Sequence, residues 1–482
     1  MSLDIAWGWL LYLVDLLIKI VALGIVPRNR RPASGTAWLL TILMVPFLGV
    51  LLFLMLGRTS IGRKRHARQS EANARVHRVA PTIPAATLPE GVPGYVDAVT
   101  TLNSNLGALP LLAGNRIALL PGYQHALDEL AAEIDKATWF VHVQYYIAAW
   151  DRSTAPVLEA MARAAERGVK VRLLVDHIGT SGIPGYREFE RKLNASGIEW
   201  YPMMPFRPLR GDLQRPDLRN HRKIAVVDGV VAFTGSQNLI EPSYNKPKHQ
   251  LAGRTWVELV IRCEGPVVEA LDVVFATDWH TETGDVLIDE LAIVPPDCGD
   301  VCAQVIPSGP GVVAENNLRA FVTLITNARR KVSLISPYFV PDESLLYAAT
   351  TAALRGVEVE LFVSEGKEQF MVYHAQRSYY EELLRHGVRI WLYPEPWVLH
   401  TKGFTVDDDV AVIGSSNMDM RSFALNFEVS VMMVGGDVVE RTNEIIDDYR
   451  DLSRELLLDE WLERPLPDQY LDNVLRLTSA LQ

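Results

Sequence analysis

Two stretches of this chain carry the same residues at the same spacing. Counting from a histidine, His221 is followed by Lys223, Asp228, Gly235, Ser236 and Asn238, and His400 by Lys402, Asp407, Gly414, Ser415 and Asn417. A lone His-x-Lys carries no information; two copies in register inside an independent repeat do. In the first half a helical stretch, Ala126 to Lys136, precedes the strand-like Trp139 to Ile147, then a helix to Arg167, Gly168, and a strand from Val169 to Val175. The second half repeats the plan with Leu318 to Arg329, Val332 to Val340, a helix to Arg355, Gly356, and Val357 to Val363. A further helix and strand follow in each, Tyr186 to Ala195 with Ile198 to Tyr201 and Tyr379 to Arg385 with Val388 to Tyr393. Helices alternating with short buried strands predict an α/β sandwich in each half, expected over 115–295 and 296–482. Each motif with the apolar run behind it (Val230 to Phe233, Val410 to Ile413) reads as a strand hairpin, with Gly-Ser-x-Asn at the strand end.

Ahead of the repeats, Ile5 to Val26 is apolar apart from Asp15 and Lys19, and Ala37 to Leu56 carries no charge. Each reaches the length of a bilayer-spanning helix, so two transmembrane segments (about 5–26 and 37–56) are expected within 1–65. Asp15 and Lys19 lie four apart on one helical face, where they can pair. The stretch ahead of the first segment offers Asp4 in place of a positive signal-peptide start, which speaks against cleavage. Arg28, Arg30 and Arg31 lie between the segments, and Arg58, Arg63, Lys64, Arg65 and Arg68 follow the second. The basic bias places the large C-terminal part in the cytoplasm, and two spans put both termini there. From His66 to Gly114 the chain turns polar and Pro- and Gly-punctuated, which reads as a linker into the folded part (66–114).

The net charge of -11 excludes a broad polyanion-binding surface, so any anion site must be built locally. Arg207, Arg210, Arg215, Arg219 and Arg222 around the first motif fit such a local funnel, or a solvated basic face. The interleaved Trp200, Tyr201, Met203, Met204 and Phe206 fit either core or acyl-chain contact. The three cysteines, Cys263, Cys298 and Cys302, define neither a disulfide framework nor a metal site.

Paired histidines and lysines suit displacement at a phosphodiester. The diester is an anion, and its transition state must be held by fixed positive charge and hydrogen-bond donors. Lys223 and Lys402 supply the charge; Ser236, Asn238, Ser415 and Asn417 can donate to the nonbridging oxygens; no metal or other cofactor is called for. Neutral imidazole is a nucleophile and imidazolium a proton donor, so one histidine can form a phosphohistidine while the other protonates the departing alcohol and later deprotonates the acceptor. Asp228 and Asp407 complete the two motifs. Glu258 and Glu428, each downstream of its Gly-Ser-x-Asn, are candidates to orient the rings, at unequal distances because the first half carries extra sequence around Glu241 to Gly253.

These residues resemble the phospholipase D superfamily, and more narrowly the bacterial cardiolipin synthases. The narrower resemblance rests on Arg219-Asn220-His221-Arg222-Lys223, on Ser336-Pro337-Tyr338-Phe339-Val340-Pro341-Asp342, and on Asn417-Met418-Asp419-Met420-Arg421-Ser422-Phe423 with Asn426-Phe427-Glu428. It implies two pseudo-symmetric phospholipase D-like α/β sandwich domains behind two transmembrane helices, a pocket on their pseudo-twofold axis, and a bacterial inner-membrane location. It further implies transfer of a phosphatidyl group from one phosphatidylglycerol to another, giving cardiolipin and glycerol, with His221 as nucleophile and His400 as general acid and base. On the residues alone those two roles are interchangeable. Hydrolysis by water and transfer to another alcohol are the alternatives within the superfamily. A nuclease is disfavoured by the apolar segments and the acidic charge. The partners implied are phosphatidylglycerol, cardiolipin and the bilayer, with no nucleic acid; no oligomeric state is implied.

Overall fold

The computed structural model describes residues 3–28, 30, 32–57, 61–79, 85–107, 109–207, 212–213, 215–287, 296–310 and 315–479. Its contacts divide the chain into two compact units, Met1–Ile61 with Arg215–Asp217, and Gly62–Gln214 with Leu218–Gln482.

In the first unit Leu3–Ile25 is one continuous helix, and Asp15 and Lys19 pair along it at 2.7 Å. Among the described residues it is the one helix long and apolar enough to cross a bilayer, over the 19 residues Trp7–Ile25. The second apolar segment departs from the expected uninterrupted span. It forms the helix Pro32–Met44, a second helix Pro46–Leu52 and a π turn Phe53–Gly57. Pro46 disfavours a helical ψ in the residue before it, and Val45 leaves the helix at ψ 77°. The two helices fold so closely that a Cβ on Gly49 would lie 2.8 Å from the Ile42 Cα. Ala22, Val26, Ile42 and Phe53 form the small core of this unit.

The second unit is built on one sheet that runs through both repeats. In the first repeat the strands are ordered Leu112–Leu120, Val260–Glu264, Val231–Gly235, Ile224–Val227, Phe140–Tyr145, Lys170–Asp176, Glu199–Met203. The second is ordered Val301–Ser308, Asn426–Val434, Val410–Gly414, Gly403–Val406, Lys331–Ile335, Glu358–Ser364, Arg389–Tyr393, with Arg454–Leu456 on its edge. Both sets begin antiparallel and end in parallel pairs, and they meet where Leu112–Leu120 pairs antiparallel with Val301–Ser308. The halves expected as separate domains therefore share one backbone hydrogen-bond ladder, and a pseudo-twofold axis passes between those two strands. The parallel strands are Val-, Ile- and Leu-rich because helices cover their faces. Helices Ala155–Glu166 and Glu343–Leu354 each stop at a glycine in the left-handed region, Gly168 (φ 87°) and Gly356 (φ 90°).

The stretch expected as a linker is largely folded. Helix Arg63–Val79 packs on helix Val267–Thr283, with Arg65 gripping Glu282 at 2.7 Å, and helix Gly94–Asn105 packs on Asn316–Asn327. Residues 80–84 lie outside the described residues. Neither helix contains a proline; Pro81, Pro84, Pro89 and Pro93 fall between the two.

Candidate active site

Each motif histidine follows a short strand that crosses the pseudo-twofold axis. Arg219–Asn220 pairs in parallel with Asn426–Phe427 of the second repeat, and Trp397–Leu399 pairs in parallel with Thr255–Val257 of the first. The backbone crossing continues one residue further, where the His221 N–H donates to the Phe427 carbonyl and the His400 N–H to the Val257 carbonyl, both at 2.8 Å. The residue after each acceptor is a glutamate, so the rings meet carboxylates of the opposite repeat. His221 Nδ1 lies 3.0 Å from Glu428 Oε2, and His400 Nδ1 lies 2.8 Å from Glu258 Oε1. Neither histidine is oriented by the glutamate of its own repeat, and both pairs are buried.

The lysines lie beneath the rings. Lys223 Nζ donates to the His221 carbonyl and Lys402 Nζ to the His400 carbonyl, each at 2.6 Å, and Lys402 Nζ is 3.0 Å from His400 Nδ1. The glycine ahead of each serine permits the sheet to close there. A Cβ on Gly235 or Gly414 would lie 2.3 Å from the carbonyl oxygen of Leu259 or Val429.

Three pairs of expected site residues have surroundings that the motif spacing does not show. Asp228 and Asp407 are hairpin-turn residues with φ of 52° and 53°, at the far end of the motif strands from the histidines. The Asp228 carboxylate accepts from the backbone N–H groups of Thr138, Trp139 and Phe140 and from the Thr138 hydroxyl, at 2.8–2.9 Å. Asp407 accepts likewise from Arg329, Arg330 and Lys331. At about 3.3 Å per residue along a strand, these carboxylates lie far from the histidines, and they hold the start of strands Phe140–Tyr145 and Lys331–Ile335. The Ser236 and Ser415 hydroxyls face the glutamate strands, accepting from Leu259 N–H at 2.9 Å and Val429 N–H at 3.0 Å, and Ser415 also donates to Glu428 at 2.6 Å. Ser415 thus holds Glu428 directly, and Ser236 holds the backbone of the residue after Glu258. Asn238 bridges the Ile147 N–H and the Tyr244 hydroxyl, whereas the Asn417 Oδ1 is buried without a partner among the described residues.

The expected basic funnel is mostly a buried ion-pair framework. Arg222 donates to both oxygens of Asp278 at 2.8 Å and to the Glu428 carbonyl, and Arg219 meets the buried Asp176. Arg210 lies outside the described residues. Met203 and Met204 are buried in the core, and Tyr201 is part exposed against Trp279.

The relatives of the chain follow from this geometry. A family model described as the cardiolipin synthase, phospholipase D-like domain matches residues 130–279 and 321–450, and one described as the phospholipase D-nuclease N-terminal segment matches 9–58. Cardiolipin synthase A of Proteus mirabilis (strain HI4320) is 32% identical over 471 residues, covering 94% of each chain. The chain belongs to the bacterial cardiolipin synthases of the phospholipase D superfamily. A second member of that family, the cardiolipin synthase of Geobacillus kaustophilus (strain HTA426), is 32% identical over 468 residues, covering 96% of this chain and 91% of its own. The crystal structure of phosphatidylserine synthase from Haemophilus influenzae Rd KW20 shares the fold, with a TM-score of 0.60 at 15% identity over 80% of this chain and 99% of that one.

The electrostatics of this cardiolipin synthase site follow from its depth. Burial, reinforced by Lys223, Lys402 and His400, holds His221 well below the ordinary imidazole range. Burial also lowers His400, but there Glu258 opposes it. Burial pushes Lys223 down to about 7 and Lys402 to about 8, and pushes Glu428 up to about 7. A buried cluster of this density disfavours charge.

Three tyrosines line the histidines, of which only Tyr338 lies in a sequence motif. Tyr146 meets the His221 ring edge-on at 4.9 Å, and Tyr244 and Tyr338 both approach His400 at 6.3 Å. Tyr244 comes from the extra sequence of the first repeat, which crosses to the second motif. Sheet register makes Ser364 the second-repeat counterpart of Asp176, and the motif offsets make Thr401 the counterpart of Arg222; Thr401 bonds Tyr449 at 2.9 Å. The sequence signal for this asymmetry was a charged residue facing a neutral one at matched positions of the repeat.

Proposed function

We infer that this protein is a membrane-anchored phosphatidyltransferase that makes cardiolipin from two molecules of phosphatidylglycerol, releasing glycerol. The observation that carries the reading is the crossed pairing of His221 with Glu428 and His400 with Glu258 in a chain of this family, because it makes one composite two-histidine site. In the first step His221 Nε2 attacks the donor phosphorus, the P–O bond to glycerol breaks, and His400 gives its proton to the glycerol oxygen. In the second, His400 takes the proton of the acceptor's terminal hydroxyl, that oxygen attacks the phosphohistidine, and the P–N bond breaks. Lys223 and Lys402 offset the charge on the nonbridging oxygens, with Asn238 and Asn417 beside them.

The assignment of His221 as nucleophile is supported by Lys223, Lys402 and His400, which join burial in favouring its neutral form, and that of His400 as acid by the opposing pull of Glu258. Helix Leu3–Ile25 would anchor the protein, and Pro32–Met44 with Pro46–Leu52, folded against each other here, would form the second span by straightening at Val45–Pro46 in the bilayer. Two spans with Arg63, Lys64, Arg65 and Arg68 behind them would leave the catalytic body in the cytoplasm of the bacterial cell.

The test is mass spectrometry of products from labelled phosphatidylglycerol with wild type, His221→Ala and His400→Ala. Cardiolipin from wild type alone, with label retained on His400→Ala protein, is expected. Phosphatidic acid without cardiolipin would assign a hydrolase, and label retained on His221→Ala would exchange the two roles.

A further inference from the structure

Three chain segments from both repeats converge beside His400, and each ends in exposed apolar side chains. Leu251, at the end of helix Pro247–Leu251, is 90% exposed. Trp397, three residues ahead of His400, is 46% exposed, and Phe370 and Met371, which open helix Phe370–Arg377, are 49% and 45% exposed. Thr255 pairs with Trp397 in the crossing strands, and Arg254 donates to the Lys367 carbonyl at 3.2 Å, so the three segments are tied together. The patch also joins the site. The Tyr338 hydroxyl bonds Glu368 and accepts from Gln369 at 3.0 Å, immediately before Phe370, and the same ring meets His400.

Exposed large apolar residues scattered singly need no explanation, but a group rimmed by charge beside a reacting centre does. The rim carries Lys246, Lys248, Arg254 and Lys367 against Glu368 and Glu395. Lys248 and Lys367 are exposed and Lys246 half-buried; Lys367 Nζ lies 4.0 Å over the Phe370 ring, and Arg254 balances the exposed Glu395. In a protein of net charge -11, apolar tips between lysines fit one partner, the surface of an anionic phospholipid bilayer. The geometry points to Leu251, Phe370, Met371 and Trp397 as an interfacial docking face that seats the His400 side of the site on the bilayer, so that lipid reaches the histidines without crossing water. This rests on the phosphatidyltransferase reading for its purpose, but not for its detection.

The full chain, carrying Cys298→Ser and Leu251→Cys, is labelled with an environment-sensitive fluorophore and reconstituted in vesicles of phosphatidylglycerol and phosphatidylcholine; Cys263 and Cys302 are buried. A blue shift with quenching by lipids spin-labelled in the upper acyl chain is expected at Leu251→Cys and not at Val230→Cys on the first hairpin turn. Raising the phosphatidylcholine share, or adding Lys246→Glu and Lys248→Glu, should weaken the quenching. A label that reports water, or a blue shift without lipid quenching as a second copy of the chain would give, overturns the proposal. In a second arm, Leu251→Asp with Phe370→Asp should lose about tenfold in kcat/KM on long-chain phosphatidylglycerol in vesicles while keeping conversion of monomeric dihexanoyl phosphatidylglycerol. Equal loss on both substrates, or loss on neither, overturns it. A wild type that makes no cardiolipin from either substrate sinks the functional reading, and the fluorescence arm still decides docking.

Discussion

A carboxylate that accepts hydrogen bonds from three successive backbone N–H groups is committed to the fold. Asp228 does so from a left-handed turn position, and Asp407 repeats it in the second half. We expect Asp228→Ala to lower stability by about 1–3 kcal/mol in denaturant titration, because four exposed or part-buried donors lose their acceptor, while kcat per folded molecule is retained. A kcat loss of several orders of magnitude without loss of stability would return Asp228 to the catalytic set. The lysines behave differently, since their burial is tied to chemistry. A lysine whose pKa is lowered loses its charge as pH rises through the lowered value, here about 7 for Lys223 and about 8 for Lys402. kcat/KM for phosphatidylglycerol should therefore fall on the alkaline side from about pH 7–8. The corresponding limb of kcat should lie at higher pH, because bound phosphate favours the protonated lysine. Coincident limbs in the two profiles would contradict this account.

Among the elements, helix Val267–Thr283 does more than cover the sheet. Its Asp278 accepts from Gln144, Asn220 and Arg222 and so fixes the backbone on both sides of His221. Removing Asp278 leaves the Arg222 guanidinium buried and uncompensated, so Asp278→Ala should cost about 3–5 kcal/mol. The double variant Arg222→Met with Asp278→Leu should recover most of that in the same thermal melts, since an apolar pair leaves no charge stranded. Equal destabilisation of the single and double variants would show that packing dominates. The basic residues of the first motif were legible as a cluster, but whether a cluster is a funnel or a framework depends on the acids that face it. Asp278 stands 56 residues from Arg222 and Asp176 43 residues from Arg219. The N-terminal elements show the same limit. Hydropathy found both apolar segments, yet a charged pair inside the first is tolerated because it is satisfied along the helix, while the uncharged second is broken by Pro46.

For the whole molecule, the central strand pair and the two crossing strands make each repeat dependent on the other. We expect 1–295 and 296–482, expressed separately, to be inactive, because each lacks the glutamate that orients its own histidine. Co-expression should restore cardiolipin synthesis with the two pieces co-eluting on size exclusion. Activity from either piece alone would refute the composite site. The sequence by itself determined the repeat, the helix and strand alternation, the chemical character of both motifs and the family. Those depend on local periodicity and on fixed offsets along one strand hairpin, where chain distance and spatial distance agree. Only the tertiary structure decided which glutamate meets which histidine, since those contacts span 207 and 142 residues. It also placed Asp228 and Asp407 on the far hairpin turns and Ser236 and Ser415 against the glutamate strands, because a side chain's surroundings are set by what the fold brings to it.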